Sequence, residues 1–308
     1  MATTEAPAGS TARRPSRASF ATWRGVLVRA GRGFMDDNCT DWAAALTYYG
    51  VLSLFPAMIV IVALVGLVSE GDRTVDTIVD VARDLGAGSI VNNDSVVDQI
   101  RQVTSQGSAS VLLSFGLLGA LWSSSGYVGA FTRASNAIYD VEESRKFYRL
   151  RPLQLLITAA ALVLLAMVAV VLIVSGPVSD AIGNALGAGD TARLAWSILK
   201  WPVLVLVMML LLGLMFWIAP DVEQPRFRWI TIGGAAALVV WAVASFGFGV
   251  YVANFSSYQG TYGTLGGVIA FLVWLYLSNC AVLLGVEINA EARRVAMPEA
   301  GFVAEGPG

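Results

Sequence analysis

Long uncharged stretches separated by short charged ones dominate this chain. One of them, residues 42–69, holds 28 positions without Asp, Glu, Lys or Arg. As a helix at 1.5 Å per residue it exceeds the roughly 30 Å hydrocarbon core of a bilayer. Five further apolar stretches reach spanning length, at 111–131, 153–175, 196–219, 229–252 and 264–286. The pattern predicts an all-α integral membrane protein with six transmembrane helices, forming a membrane domain over 42–290.

The segments outside the spans carry weaker patterns. Residues 1–19 are rich in Ala, Ser, Thr, Pro and Arg, and read as a disordered cytoplasmic tail. From residue 20 to 41, Phe20, Trp23, Leu27, Ala30 and Phe34 recur at helical spacing, which predicts an amphipathic interfacial helix. It lies along the membrane surface or packs on the end of the bundle, and the pattern leaves both open. Residues 70–110 suggest two short extracytoplasmic helices, and 291–308 a cytoplasmic tail. The polar, Gly-rich segment 254–267 reads either as a re-entrant turn or as a tight connection, with Asn254, Tyr258 and Tyr262 as an outer polar cluster.

Charge sets the orientation. The N-terminal segment holds six Lys or Arg, the 132–152 connection five, the 220–228 connection two and the C-terminal tail two. The opposite side holds three over 70–110, one over 176–195 and none over 253–263. Basic residues accumulate on the cytoplasmic side of short loops, so both termini are expected there.

Composition narrows the chemistry. Hydrophobic residues make up 56% of the chain and charged ones 14%, far from a soluble balance. A net charge of −2 supplies no excess of cations for nucleic-acid phosphates. The chain has no histidine, which removes the usual general base and the commonest metal ligand. Its two cysteines, Cys39 and Cys280, are no disulfide framework. No cofactor or metal site is expected, and nuclease chemistry fits poorly.

Polar residues inside the spans carry the functional argument. On the predicted orientation Asp41 opens span one at the cytoplasmic face, Arg133 and Asn136 close span two there, and Glu287 and Asn289 close span six. Tyr48 lies ~10 Å of helix rise deeper than Asp41, and Ser124 ~13 Å deeper than Arg133. With Tyr49, Ser53 and the neighbouring serines they could line a cavity open to the cytoplasm and admit a small solute or an anionic lipid headgroup, with Arg133 as the headgroup partner. The structural alternative is that the serines serve close helix packing and the charged groups pair as clasps. Pro56, in the middle of span one, is a candidate hinge or a packing kink.

Three motifs resemble one known family. The stretches DWAAALTYYGVLSLFPAMIVIVALVG at 41–66, WSSSGYVGAFTRASNAIYDVEESRKFYRLR at 122–151 and NFSSYQGTYGTLGGVIAFLVWLYLSNCAVLLGVEINAEARR at 254–294 are similar to the YihY/virulence factor BrkB family. The resemblance covers nearly everything but the tails. It implies a bacterial inner-membrane protein with six helices. Members have carried a ribonuclease label and a serum-resistance label, with export or lipid translocation suggested for some. Two functions therefore stand: a transporter, exporter or lipid translocase, and a non-catalytic membrane scaffold in contact with membrane lipids.

Overall fold

The computed structural model describes residues 20–68, 109–173, 189–222, 231–254 and 259–296. Among them the chain is all helical, in seven helices: α1 (Phe20–Asp36), α2 (Cys39–Val68), α3 (Ala109–Ile138), α4 (Phe147–Ile173), α5 (Gly189–Ile218), α6 (Ile232–Asn254) and α7 (Gln259–Ala296). Each expected span falls on one helix from α2 to α7. Four stretches, Phe147–Leu165, Ile198–Ile218, Ile232–Val252 and Gly266–Val295, are long and apolar enough to cross a membrane.

The distribution of side chains is that of a protein solvated by lipid. Large apolar groups such as Ile198, Val205, Val243, Phe246 and Val268 are exposed, while Ser125, Thr132, Asn136, Thr158 and Asn279 are buried. Water would reverse that arrangement, and hydrocarbon favours it. α6 shows it most strongly, with only 6% of its apolar window buried.

α2 packs most extensively on α3, α6 on α7, and α7 joins the two pairs through α2 and α1. The main core draws Ala43 and Leu46 from α2, Ala130, Phe131 and Ala134 from α3, Ile157 from α4, Met215 and Phe216 from α5, Ala237 from α6 and Leu283 and Val286 from α7. Phe131 and Phe216 stack with centroids 6.1 Å apart. The many alanines let backbones approach closely, as helix association in lipid requires.

Three bounds differ from the sequence pattern. The first helix stops at Asp36, because Asn38 turns into the left-handed region (φ 52°) and its carbonyl accepts the amides of Asp41 and Trp42 at the start of α2. Its buried stripe is Val26 and Ala30, against Ile288, Leu284 and Ala292 of α7, so α1 packs on the bundle while Leu27 is exposed. Residues 259–267 are helical, the opening turns of α7, since a helix satisfies its own amides where lipid offers them no partner. α7 also continues to Ala296, where Arg293 and Arg294 occupy its last turn and complement the helix dipole. Residues 1–19, 70–108, Tyr258 and 297–308 lie outside the described residues.

α6 and α7 are held by reciprocal contacts. Trp241 of α6 donates its indole N–H to Ser278 of α7 at 3.1 Å, and Trp274 of α7 donates to Ser245 of α6 at 3.1 Å. Near the α6 start, Gly233 and Gly285 cross so closely that a Cβ on Gly285 would sit 2.6 Å from the Gly233 carbonyl oxygen, and a Cβ on Gly233 would run into the Gly285 carbonyl. Backbone cannot yield as a flexible side chain does. Gly233→Ala is expected to lower the thermal midpoint of the purified protein, at an overpacking cost of about 1–3 kcal/mol. Gly247→Ala, with nothing within 4 Å of the added carbon, should leave the midpoint unchanged apart from helix propensity.

Candidate functional site

The start of α2, the end of α3, the start of α4, the end of α5, the start of α6 and the end of α7 meet at one end of the bundle, where the charged side chains gather. Helix ends bring unpaired carbonyls and amides, so this charged end must supply partners. α3 stops at Ile138 because Asp140 adopts φ 53° and the amides of Tyr139, Asp140 and Val141 bond back to Ser135, Ala137 and Asn136.

The connection after α3 then ties itself to the end of α5. Arg145 donates Nε and Nη2 to the two carboxylate oxygens of Glu143 at 2.6 and 2.8 Å. It also donates Nη1 to the Ile218 carbonyl at 3.1 Å and Nη2 to the Ala219 carbonyl at 2.7 Å. Ser144 gives its amide and hydroxyl to Asp221 at 2.7 and 2.6 Å. Asn136, almost fully buried, completes the knot by donating to Glu143 at 3.0 Å and accepting the Asp221 amide at 2.8 Å. Burial raises the Glu143 carboxyl, but the hydrogen bonds and charge of Arg145 outweigh it and hold the group below its ordinary value. Asp221 is likewise pushed up by burial and held lower by Ser144 and Arg145.

A second clasp joins the first and last helices. Arg29 of α1 donates Nε to Glu291 at 2.7 Å, and Arg294 donates to the other Glu291 oxygen at 2.7 Å and to the Ile138 carbonyl at 3.2 Å. Beside it, Glu287 is fully buried: the Cys39 thiol lies 3.5 Å from one carboxylate oxygen, and the other has no hydrogen-bond partner and sits against Gly33. In a third clasp Asn289 accepts the Gly233 amide at 2.9 Å and donates to Thr231 at 3.3 Å, while Thr231 accepts the Gly234 amide at 3.0 Å as the N-cap of α6.

Deeper in the bundle lies a polar seam across three helices. Tyr127 of α3 donates its hydroxyl to Asn279 of α7 at 2.8 Å, and Asn279 donates to Thr47 of α2 at 3.1 Å. Thr47 passes its own proton to the Ala43 carbonyl at 2.7 Å.

The matching family model, virulence factor BrkB, covers residues 30–304 and so takes in the seam and every clasp residue named above except Arg29. The chain belongs to the BrkB family. It is 33% identical to a ribonuclease-like protein, YfkH, of Bacillus subtilis over 80% of this chain and 88% of that protein. It is 31% identical to a UPF0761 membrane protein of Rhodospirillum centenum over 94% of this chain, and 26% to one of Alkalilimnicola ehrlichii over 83%. It spans 62% and 55% of the lengths of those two relatives. No solved structure matches it.

In this BrkB-family chain the residues expected to line one cavity divide among several settings. Asn136, Glu287 and Asn289 each belong to a different clasp. Asp41 and Arg133 are exposed, and neither has a side-chain hydrogen bond or ion pair among the described residues. Tyr48 is exposed, and its ring meets that of Tyr49 edge-on at 5.4 Å. Ser53 donates to the Tyr49 carbonyl in its own helix at 2.7 Å. Ser124 is buried and its hydroxyl has no partner. α2 is continuous through Pro56, whose side chain lies outside the described set, as do those of Asn254 and Tyr262. An open apolar groove of about 520 Å³, lined by Ser245, Phe248, Phe271 and Trp274, lies on the α6–α7 face among other residues than these.

The sequence pattern passed over Tyr127, Gln154, Asn279 and the Glu143–Arg145–Asp221 group. A buried Asn in the middle of an apolar stretch was the one signal available for the seam, and the five basic residues of 132–152 for the knot. Because Glu143 and Asp221 titrate below their unfolded values of about 4, their contribution is complete above that range and is lost as pH falls through the lowered folded values. Thermal midpoints in detergent are expected to drop below about pH 4, and Glu143→Gln should flatten that drop while lowering the midpoint at pH 7.

Proposed function

We propose that this protein is a six-span transporter or lipid translocase of the bacterial inner membrane, with both termini cytoplasmic and a polar path between α2, α3 and α7. The observation that carries the reading is the hydrogen-bonded seam Thr47–Asn279–Tyr127, with the unpartnered Ser124 hydroxyl on the same α3. Each hydrogen bond of this kind between membrane helices contributes only about 0.6–2 kcal/mol, so polar groups at such depth are a costly way to hold three helices that alanine and leucine could pack. Ionisable and amide groups inside a bilayer are more economically read as part of a path. The Lys and Arg bias of the connections supports the orientation.

The name of the Bacillus relative suggests an RNA-cleaving role, and nothing in this chain's residue set favours one. It contains no histidine, and among the described residues no three His, Cys, Asp or Glu are grouped as metal ligands would be. We read it as non-catalytic. A scaffold reading has its own support, because Glu143, Asp221 and Glu291 are each held by arginines within the chain.

Labelling separates the two. In a chain whose Cys39 and Cys280 are replaced by serine, Tyr48→Cys, Ser53→Cys and Ser124→Cys are treated with a membrane-impermeant thiol reagent from the cytoplasmic side. A path requires modification at 124, which is only 5% exposed in this packing. Resistance at 53 and 124 together, with 48 reacting alone, would leave the scaffold.

A further inference from the structure

Several cations of the charged end bond no carboxylate among the described residues, and two of them, Arg133 and Arg151, lie at the α3–α4 seam. Arg29, Arg145 and Arg294 each bond a carboxylate, whereas Arg133 and Arg151 have none among the described residues. The Arg133 guanidinium folds back along α3 beside Gly129, one turn deeper than its own backbone, with Nη1 3.6 Å from where a Gly129 side chain would begin. Arg151 lies over the Trp122 ring at 4.3 Å, and Trp122 is ~16 Å further along α3 than Arg133.

One buried amide links the two. Gln154, 6% exposed, accepts Arg151 Nη1 at 3.1 Å and presents both amide atoms 3.5 Å from the same Gly129 position. The α3–α4 seam therefore has one guanidinium bonded to a buried amide and a second beside the same side-chain-free Gly129 position. An exposed guanidinium without an anion beside hydrocarbon is open to one from outside the chain, and planar guanidiniums are suited to bidentate binding of phosphate oxygens.

We propose that this seam binds the phosphate of an anionic lipid headgroup. The lipid source is favoured over free phosphate by the surface beside the cations. Leu118 and Trp122 lie on the face of α3 that carries Gly129 and Arg133, and they are 63% and 56% exposed, continuing away from the charged end. A headgroup between Arg133 and Arg151 places its acyl chain along that apolar strip. Gln154 positions Arg151, and the phosphate takes the donors that the protein leaves open. The inference needs the chain to lie in a bilayer and does not need it to transport anything.

Native mass spectrometry of the full chain in neutral detergent tests the site, with phosphatidylglycerol and phosphatidylcholine of equal chain length as probes and inorganic phosphate as a third. Phosphatidylglycerol should bind preferentially. Arg133→Gln should weaken it about tenfold, the loss of one charge-assisted contact, and Arg133→Gln with Arg151→Gln should abolish the preference. Lys146→Gln with Arg149→Gln, on the same connection but outside the seam, should leave it intact. Arg133 bonds nothing among the described residues, so its single variant keeps the test decisive if the double variant fails to fold. Equal binding of the two lipids, an undiminished preference in Arg133→Gln, or equal loss in the Lys146/Arg149 variant would overturn the proposal. Competition by millimolar inorganic phosphate that displaces the lipid completely would assign the site to a free oxyanion instead.

Discussion

Arg145 meets the constraint on which the rest of the bundle depends, that a helix ending near lipid must find partners for its last carbonyls. Its guanidinium takes the Ile218 and Ala219 carbonyls of α5 while being neutralised by Glu143, so one side chain closes a helix and fastens a connection to it. Asn289 and Thr231 do the converse for the amides at the start of α6. With the ends satisfied, the middle of each helix is free to be apolar on its outer side. The core is then built from alanines with Leu46, Ile157, Met215, Leu283 and Val286 and the Phe131–Phe216 stack.

The spans were legible because lipid solvation imposes a one-dimensional signal, a run without charge. The expected runs fall on the helices from α2 to α7, and four of these carry stretches long and apolar enough to cross a membrane. The clasps were not legible in the same way, because their partners are far apart in sequence: Ser144 and Asp221 are separated by 77 residues, Arg29 and Glu291 by 262. Asn136, Glu287 and Asn289 stand near one another in depth, which depth alone could suggest, but helix azimuth sends each to a different neighbour. The break between α1 and α2 depends on a single left-handed residue, Asn38, that a hydrophobic pattern does not register.

Family membership and geometry address different questions. The BrkB match covers residues 30–304, all of α2 to α7, and relates the chain to membrane proteins of several bacteria. The proposed activity rests instead on this chain's polar groups, which divide into those the fold consumes and those it leaves open. Glu143, Asp221, Glu291 and Asn289 are consumed. The Ser124 hydroxyl, one oxygen of Glu287, and the guanidinium of Arg133 are open, and function is sought where the fold has not already used the donors and acceptors it carries.

The bond between Arg29 and Glu291 has a consequence for biosynthesis. α1 emerges from the ribosome first, yet the surface that covers Val26 and Ala30 belongs to the last helix. At about 5–20 residues per second the first helix waits roughly 10–50 s for that surface to be made. During that interval α1 has an exposed apolar stripe and three free arginines, Arg24, Arg29 and Arg32, the composition of a segment that rests on an anionic membrane surface. Until then Val26 and Ala30 lack the protein surface that buries them, and synthesis of α7 supplies it.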